Sequence, residues 1–391
     1  MKAKTLFVQR AETVARIRAG IKSSPVIAIL GPRQCGKTTL AKSICEAMNG
    51  EYFDLEDVGD RARLRNPQLA LSRLRGLVVL DEIQRMQELT LILRVLADRK
   101  PSPCKFLILG SASPEMMSRS SDSLAGRVHF VDINGFTLAD VGHEHQRLLW
   151  IRGGFPLSYL AKNNHASMKW REDFIRTFLE RDLPQLGVRV PATMLQRFWT
   201  MLAHYHGQVW NSSEIAKSLA ISHITSKKYL DLLTAGFVVR QVPPWFENAG
   251  KRIVKAPKVF IRDSGIFHCL LNISDGKALD SHPKLGASWE GFVMEQLLDW
   301  LGERHAYFWG THQGAELDLF TIRNGKRWGF EIKYNEAPTM TRSMHIALKD
   351  LKLDRLWVIY PGASSYPMHE KVEAVGLVNI GKIRDVVEGR R

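Results

Sequence analysis

Short apolar runs recur along the first 150 residues at the spacing of buried strands. The run at residues 26–30 leads into a glycine-containing loop and then a helical segment. Further strand-like runs occupy residues 51–55, 76–80 and 105–109. Strands that alternate with helices are typical of a mainly parallel sheet covered by helices. The pattern therefore predicts an α/β domain over residues 1–150.

Helical periodicity dominates the middle of the chain, where apolar side chains such as Phe174 and Phe178 can share one helix face. Farther on, residues 212–219 and 223–234 flank a short turn and have the proportions of a helix-turn-helix. A glycine stop and a strand follow, as in a wing. The sequence thus predicts a helical bundle with a winged helix-turn-helix over residues 151–245.

The ends of these two helices carry polar residues that can accept unpaired backbone N–H groups. Ser212 or Ser213 is predicted to cap the first helix, and Ser222 the second. In a DNA reader the second helix enters the major groove. Its presented side chains would be His223, Thr225, Ser226, Lys227 and Lys228. A packing or oligomerisation role for the module remains an open alternative.

The last part of the chain, residues 246–391, contains a strong hairpin pattern. Asn324 and Gly325 separate two segments of alternating polarity, which favours a two-residue type I′ turn. In that register Asp318 lies opposite Glu331, and Lys333 shares the face of Glu331 because strand side chains alternate. Two acids and a lysine are therefore expected to converge.

Composition narrows the class of protein. A chain of 391 residues with 45% hydrophobic and 24% charged residues is expected to form about two to three globular domains. No apolar run long enough to span a bilayer is visible, and the start is too charged for a secretory signal, so we expect a cytoplasmic protein without a membrane partner. The four cysteines form no C-x-x-C pair, which argues against a zinc site or disulfide scaffold.

A net charge of +15 makes a polyanion the favoured partner, and nucleic acid is the obvious one. A basic surface that only keeps the protein in solution is the alternative. Charge alone does not choose between them.

The loop after the first apolar run matches a complete phosphate-binding motif. It reads Gly31, Pro32, Arg33, Gln34, Cys35, Gly36, Lys37, Thr38 and Thr39. The glycines let backbone N–H groups surround phosphate oxygens, Lys37 can reach the β and γ phosphates, and the Thr38 hydroxyl can bind Mg²⁺. The sequence therefore predicts binding of ATP with Mg²⁺.

Two adjacent acids end the third strand of the predicted sheet. Asp81 is placed to organise Mg²⁺, and Glu82 to polarise the attacking water. A charge pair at a helix N-terminus is the alternative. Together with the phosphate loop, the two acids predict hydrolysis of ATP.

Two further residues could act on the γ-phosphate. Ser111 follows the next strand and is the candidate sensor of that group. Arg127, after a turn of small residues, could stabilise charge on the leaving phosphoryl group, in its own chain or in a neighbour. A surface salt bridge is the alternative for Arg127.

These motifs resemble those of bacterial and archaeal AAA-type ATPases that carry a C-terminal domain of unassigned function. The segments that carry the resemblance are 31–39, 80–84, 110–111, 124–127, 153–156 and 181–183. The resemblance implies an ATPase of the AAA+ superfamily, and a homo-oligomer, such as a ring, follows from the superfamily alone.

The hairpin acids, together with a helix around residues 289–300, resemble the PD-(D/E)XK fold of restriction enzymes and Holliday-junction resolvases. This resemblance implies a nuclease-like Mg²⁺ site formed by Glu290, Asp318 and Glu331, with Lys333 assisting. The proline of the family's name is absent, since Leu317 precedes Asp318. Cleavage and binding without cleavage both stay open.

The combined expectation is an ATP-hydrolysing protein that binds duplex or branched DNA in recombination, repair or mobile-element defence. Its architecture would be an AAA+ P-loop domain, a winged-helix middle and a restriction-endonuclease-like α/β end domain. The competing function is an NTP-driven switch whose end domain binds a protein partner and does not cut DNA.

Overall fold

The computed structural model describes residues 8–390, except residues 87, 101–103, 112–123, 186–188 and 247–253. Its contacts divide the chain into two compact units. The first comprises Met1–His145, Gly154–Lys162 and Ala235–Val238, and the second comprises Gln146–Gly153, Asn163–Thr234 and Val239–Arg391.

The α-helices of the described chain are, in order, α1 Ala11–Ser23, α2 Lys37–Ala47, α3 Val58–Arg63, α4 Pro67–Ser72, α5 Leu89–Ala97, α6 Leu138–Val141, α7 Gln146–Arg152, α8 Pro156–Tyr159, α9 Asn164–Thr177, α10 Leu183–Gln185, α11 Ala192–His204, α12 Ser212–Leu219, α13 His223–Ala235, α14 Ser264–Leu270, α15 Gly276–Asp280, α16 Leu285–Leu301, α17 Arg342–Asp350 and α18 Ile380–Glu388. A π-helical turn, Phe178–Asp182, joins α9 to α10.

The strands are β1 Val26–Gly31, β2 Glu51–Asp54, β3 Gly76–Asp81, β4 Cys104–Ser111, β5 Val128–Asp132, β6 Gln208–Val209, β7 Val239–Val242, β8 Lys258–Ile261, β9 Tyr307–Gly310, β10 Glu316–Arg323, β11 Lys326–Ile332, β12 Arg355–Tyr360, β13 Ser365–His369 and β14 Val372–Gly376.

The first unit is built on a five-stranded parallel sheet in the order β2-β3-β4-β1-β5. All six residues of β1 are buried, as expected for a strand covered on both faces. Since the carboxyl ends of parallel strands meet at one edge, the last residues of β1, β3 and β4 lie along the same edge of the sheet. The α/β prediction for this part of the chain is confirmed.

Alternate strand residues form the core on one face of this sheet. Val78 and Phe106 are fully buried there and pack with side chains of α5 such as Leu93. The same packing fixes β3 against β4, and with them the position of Asp81 at the end of β3.

In the second unit, helices α12 and α13 form the helix-turn-helix, with Ala220 in the left-handed conformation between them (φ 55°). β6, which precedes α12, and β7 and β8, which follow α13, form a three-stranded antiparallel sheet in the order β6-β8-β7. Because β8 begins at Lys258, the predicted domain boundary at residue 245 cuts through a hydrogen-bonded sheet. Most of the middle of the chain belongs to the same compact unit as its end, while Gly154–Lys162 and Ala235–Val238 belong to the first unit, and the division into three domains stays a prediction.

The six-stranded sheet of the second unit has the order β13-β14-β12-β11-β10-β9. It is mixed, since β9, β10 and β11 are antiparallel neighbours while β11, β12 and β14 run parallel. Asn324 and Gly325 both have positive φ, as a type I′ turn requires. Arg323 pairs with Lys326 and Leu319 with Phe330, so the predicted hairpin register is confirmed.

No helix among the described residues combines the length and the apolar character needed to cross a membrane.

Candidate functional site

The phosphate loop joins the buried end of β1 to the first residue of α2. Gly36 has a φ of +97° and stands at the N-cap of α2, so the free N–H groups of that helix face the loop. A Cβ atom on Gly31 would lie 2.1 Å from the carbonyl oxygen of Ile133, so only glycine fits there. The backbone is thus shaped as an anion cradle.

Lys37 places its ammonium group inside this cradle. Its Nζ donates hydrogen bonds to the carbonyl oxygens of Gly31 (2.9 Å) and Pro32 (2.7 Å), and the residue is 7% exposed. Both partners are uncharged, so the positive charge of Lys37 is not neutralised by a carboxylate and is available for a phosphate.

Arg10 supports the loop from behind, a role that the sequence did not reveal. Its guanidinium donates to the carbonyl oxygens of Asn134 (3.0 Å), Gly135 (3.0 Å) and Cys35 (3.4 Å) and forms an ion pair with Asp140 (3.3 Å). A single arginine before a helix carries no motif, because Asn134, Gly135 and Asp140 lie more than a hundred residues away along the chain.

Thr38 and Asp81 meet although they come from different elements. The Thr38 hydroxyl donates to Asp81 Oδ2 (2.7 Å), and the Tyr52 hydroxyl donates to the same oxygen (2.7 Å). Hydroxyl and carboxylate oxygens are ligands that Mg²⁺ prefers, so Thr38 and Asp81 fit a Mg²⁺ ion. Such an ion, when bound with ATP, would neutralise charge on the phosphates. Tyr52 is a further site residue that no motif indicated, and burial followed by its bond to Asp81 raises its pKa.

Glu82 projects from a left-handed backbone turn (φ 55°) directly after β3. Its carboxylate accepts a hydrogen bond from the Gln84 amide, and its own backbone N–H donates to Asp81 Oδ1 (2.9 Å). Burial, followed by the charge of Asp81, raises the pKa of Glu82. A carboxylate of raised pKa is a better proton acceptor than an ordinary glutamate.

Ser111 and Arg127 are the two remaining candidates for contact with the γ-phosphate. The backbone of Ser111 ends β4 and pairs with Gly31, but its side chain lies outside the described residues, so the sensor role stays a prediction.

Arg127 lies immediately before β5, whose first residue pairs with Val26. This is the end of the sheet opposite to the phosphate loop, roughly 20 Å away at about 3.3 Å per residue along β1. Arg127 instead donates to Asp98 at 2.6 and 2.8 Å. In the described structure Arg127 thus does not reach the phosphate loop of its own chain, and its action on the γ-phosphate stays a prediction.

The predicted carboxylates of the C-terminal domain do come together, and Lys258 joins them. Lys258 Nζ lies 3.3 Å from Asp318 Oδ1 and 3.4 Å from Glu290 Oε1. Lys333 Nζ lies 2.7 Å from Glu331 Oε1. We call Lys258, Glu290, Asp318, Glu331 and Lys333 the acid–lysine cluster. No sequence motif indicates Lys258, because Glu290 and Asp318 are distant from it along the chain.

Burial shapes the protonation of this cluster. It raises the pKa of Glu331, with a further contribution from Asp318, and it raises the pKa of Glu290. Burial alone would lower the pKa of Lys258, but the charges of Glu290 and Asp318 raise it above its ordinary value. Lys258 is therefore held as a cation.

The cluster does not fit a divalent metal ion as arranged. Among the described residues, no group of three or more His, Cys, Asp or Glu side chains is placed to hold a metal. Lys258 Nζ lies between two of the three predicted ligands, Glu290 and Asp318. Glu295, the other helix glutamate, pairs with Arg240 at 2.7 Å, so Glu290 is the one that faces the cluster.

The helix-turn-helix shows two corrections to the sequence analysis. Asn211, instead of Ser212 or Ser213, caps α12 by accepting from the backbone N–H of Ser213 (3.2 Å). Ser226 is fully buried, so it cannot contact a base.

The cap of α13 agrees with the prediction, since Ser222 Oγ accepts from the backbone N–H of Thr225 (3.0 Å). His223, Lys227 and Lys228 are exposed on α13, and Thr225 is half-buried.

Three family models match successive segments of the chain. The family model described as an AAA domain matches residues 23–141. Two domains of unknown function, DUF8612 and DUF4143, match residues 143–277 and 285–380.

Among solved structures, the Walker-type ATPase PABY2304 of Pyrococcus abyssi is 16% identical, with a TM-score of 0.47, over 68% of this chain and 96% of that one. The RuvB Holliday junction branch migration motor of Thermotoga maritima is 16% identical, with a TM-score of 0.29, over 61% of this chain and 91% of that one. Both TM-scores are below 0.5, so the family assignment of this chain rests on the sequence comparisons alone.

Uncharacterized proteins of Mycobacterium bovis and Mycobacterium tuberculosis are each 50% identical to this chain over 370 residues, which is 95% of this chain and 84% of theirs. The chain therefore belongs to the family of these two mycobacterial proteins, and its residues 23–141 match an AAA domain that carries the P-loop.

Proposed function

We propose that this ATPase binds duplex or branched DNA and couples that binding to ATP hydrolysis, in recombination, repair or mobile-element defence. Lys37 would bind the phosphates, Thr38 and Asp81 would hold Mg²⁺, and Glu82 would activate water. The observation that carries the DNA proposal is the exposed cationic face of α13, the second helix of the helix-turn-helix.

The exposed residues of α13 have the chemistry of a DNA-reading helix. Lys227 and Lys228 can neutralise phosphates, and His223 stands at the N-terminal end that enters the groove in such modules. Ile224 is 57% exposed on the same helix, where an apolar side chain can contact a thymine methyl group. The net charge of +15 supports the same partner.

The C-terminal domain supports a nuclease-like fold within this proposal. Helix α16, the antiparallel strands β9 to β11, helix α17 and the parallel strand β12 follow in the order expected for that fold. The chemistry of its acid–lysine cluster is a separate question.

Self-association is also part of the proposal. Arg127 is accessible at the edge of the sheet opposite to its own phosphate loop. In a head-to-tail oligomer such an edge can meet the nucleotide of the next subunit. Arg127 would then act on ATP in that neighbour.

The test measures ATP turnover and binding against a panel of DNA shapes that includes a duplex and a four-way junction. We expect DNA to raise turnover and affinity to fall steeply with salt. The double variant Lys227→Gln and Lys228→Gln should bind DNA more weakly. The slope of log affinity against log salt concentration should become shallower by about 1 for each phosphate that a lysine no longer neutralises.

The matched control is Lys326→Gln with Lys349→Gln, which removes two exposed lysines elsewhere in the same unit. Unchanged turnover with every DNA, together with binding that does not depend on salt, would reject the proposal. An NTP-driven switch with a protein partner would then take its place.

A further inference from the structure

We propose that Lys258 is the resident cation of the acid–lysine cluster, taking the position of a divalent metal ion, so that the C-terminal domain binds no metal there. This inference goes beyond the proposed DNA function, since the domain can contact DNA whether or not its cluster holds a metal.

The backbone of Lys258 is held in place by strand pairing, and its side chain is buried. Lys258 begins β8 and is paired with Val209 on one side and Val242 on the other. The residue is only 3% exposed. The ammonium group therefore projects into the cluster from β8, the middle strand of the three-stranded sheet.

The carboxylate oxygens of the cluster already have partners of their own. Asp318 Oδ1 faces Lys258, while Asp318 Oδ2 accepts from the backbone N–H of Ile332 (2.8 Å). Glu290 Oε1 faces Lys258 and Glu331 Oε1 faces Lys333. Glu331 Oε2 is buried without a hydrogen-bond partner in the described structure. Four of the six carboxylate oxygens of Glu290, Asp318 and Glu331 thus face a lysine or a backbone N–H, whereas Mg²⁺ demands near-octahedral coordination by oxygen atoms.

Electrostatics favours one cation over two. A metal ion bound to the same oxygens of Glu290 and Asp318 at about 2.1 Å would lie within roughly 5 Å of Lys258 Nζ. Two like charges at that separation in a buried site repel strongly.

The experiment measures Mn²⁺ binding to the full chain without nucleotide, by electron paramagnetic resonance of free Mn²⁺. All proteins carry Asp81→Asn, which removes the carboxylate at the nucleotide site. We expect no bound Mn²⁺ that depends on Asp318. Adding Lys258→Met should create one equivalent of bound Mn²⁺, which Asp318→Asn then removes. Lys326→Met, an exposed lysine on the same hairpin, should create none.

Mn²⁺ binding by the protein that retains Lys258 tests the proposal even if Lys258→Met does not fold. One equivalent of Mn²⁺ bound by that protein and removed by Asp318→Asn would overturn the proposal. Mg²⁺-dependent nicking of DNA by the natural sequence, abolished in Glu331→Ala, would overturn it as well. A folded Lys258→Met protein that binds no Mn²⁺ would also contradict it, because the lysine would then not be what keeps the metal out.

Discussion

Two buried lysines show how the neighbours of an ammonium group decide what it can bind. Lys37 and Lys258 are 7% and 3% exposed. Lys37 contacts two neutral carbonyl oxygens, whereas Lys258 contacts carboxylates. A charge surrounded by dipoles still attracts an anion, while a charge among carboxylates is already neutralised. We therefore expect Lys37 to bind an anionic ligand and Lys258 to act as a counter-ion.

Glu82→Gln tests the assignment of the catalytic base. The variant should still bind ATP but hydrolyse it about 10²–10⁴ times more slowly, because an amide cannot accept the proton of water. Nucleotide binding and single-turnover hydrolysis are the measurements. Glu46→Gln, an exposed acid on α2, is the control and should keep its turnover. Undiminished hydrolysis in Glu82→Gln would reject the assignment.

The pH dependence of hydrolysis follows from the raised pKa of Glu82. The ionised carboxylate is the active base, so activity is present above its pKa and lost as pH falls through it. Since burial and Asp81 raise that pKa, the acid limb of kcat/KM should lie above about 4.3, the ordinary glutamate value. A limb at or below the ordinary value contradicts this prediction.

Tyr52→Phe tests whether the Tyr52 hydroxyl orients Asp81. Losing the 2.7 Å hydrogen bond should raise the Mg²⁺ concentration needed for half-maximal hydrolysis by about tenfold, the usual scale for a group that orients a metal ligand. Saturating Mg²⁺ should restore much of the rate. Tyr307→Phe in the other unit is the control. An unchanged Mg²⁺ requirement would show that Tyr52 serves packing alone.

At the scale of elements, helix α16 and the sheet of β6, β8 and β7 are joined by two sets of buried ion pairs. Glu290 faces Lys258, and Glu295 faces Arg240 and Arg262. These two glutamates thus each meet a cation from the sheet or from the residue after it. Buried pairs of this kind place elements specifically, because a shifted register would leave charges without partners.

Lys258→Met should therefore destabilise the second unit by about 3–5 kcal/mol, since it leaves buried carboxylates without their counter-charge. Urea unfolding is the measurement. Adding Asp318→Asn should recover part of the stability, as expected for a coupled pair. The exposed Arg176, which pairs with Glu180 on the surface, gives the control variant Arg176→Met, which should change little. Equal destabilisation at both sites would contradict this account.

At the scale of the whole molecule, function is divided between the two units. The nucleotide site lies in the first unit, and the helix-turn-helix and acid–lysine cluster lie in the second. ATP turnover in the presence of DNA is the measurement that reports on both at once.

Arg127 leads to a prediction about assembly. Arg127→Ala and Glu82→Gln should each lower ATP turnover, and mixing the two proteins should recover part of it. Recovery is expected because Glu82 of one subunit and Arg127 of its neighbour would complete a shared site. Arg94→Ala, an exposed arginine on α5, is the control. Full ATP turnover by Arg127→Ala alone would contradict a role of Arg127 in hydrolysis and would leave its ion pair with Asp98 as its role.

The sequence by itself determined the local features of this protein. The phosphate loop, the acids after β3, the α13 cap at Ser222 and the hairpin register each depend on a few consecutive residues or on one tight turn. Backbone geometry over such short spans is set by glycine, capping and alternation. These features were therefore readable before the fold was known.

Only the tertiary structure decided which distant charges meet. Lys258 reaches Asp318 from sixty residues away, and Arg10 reaches Asn134 across the first unit. Arg127 precedes β5 at the end of the sheet opposite to the loop that follows β1. Strand order and packing bring such groups together or apart, and neither leaves a periodic trace in the sequence. For this reason the sequence named the acids of the C-terminal cluster, and the fold supplied the lysine that neutralises them.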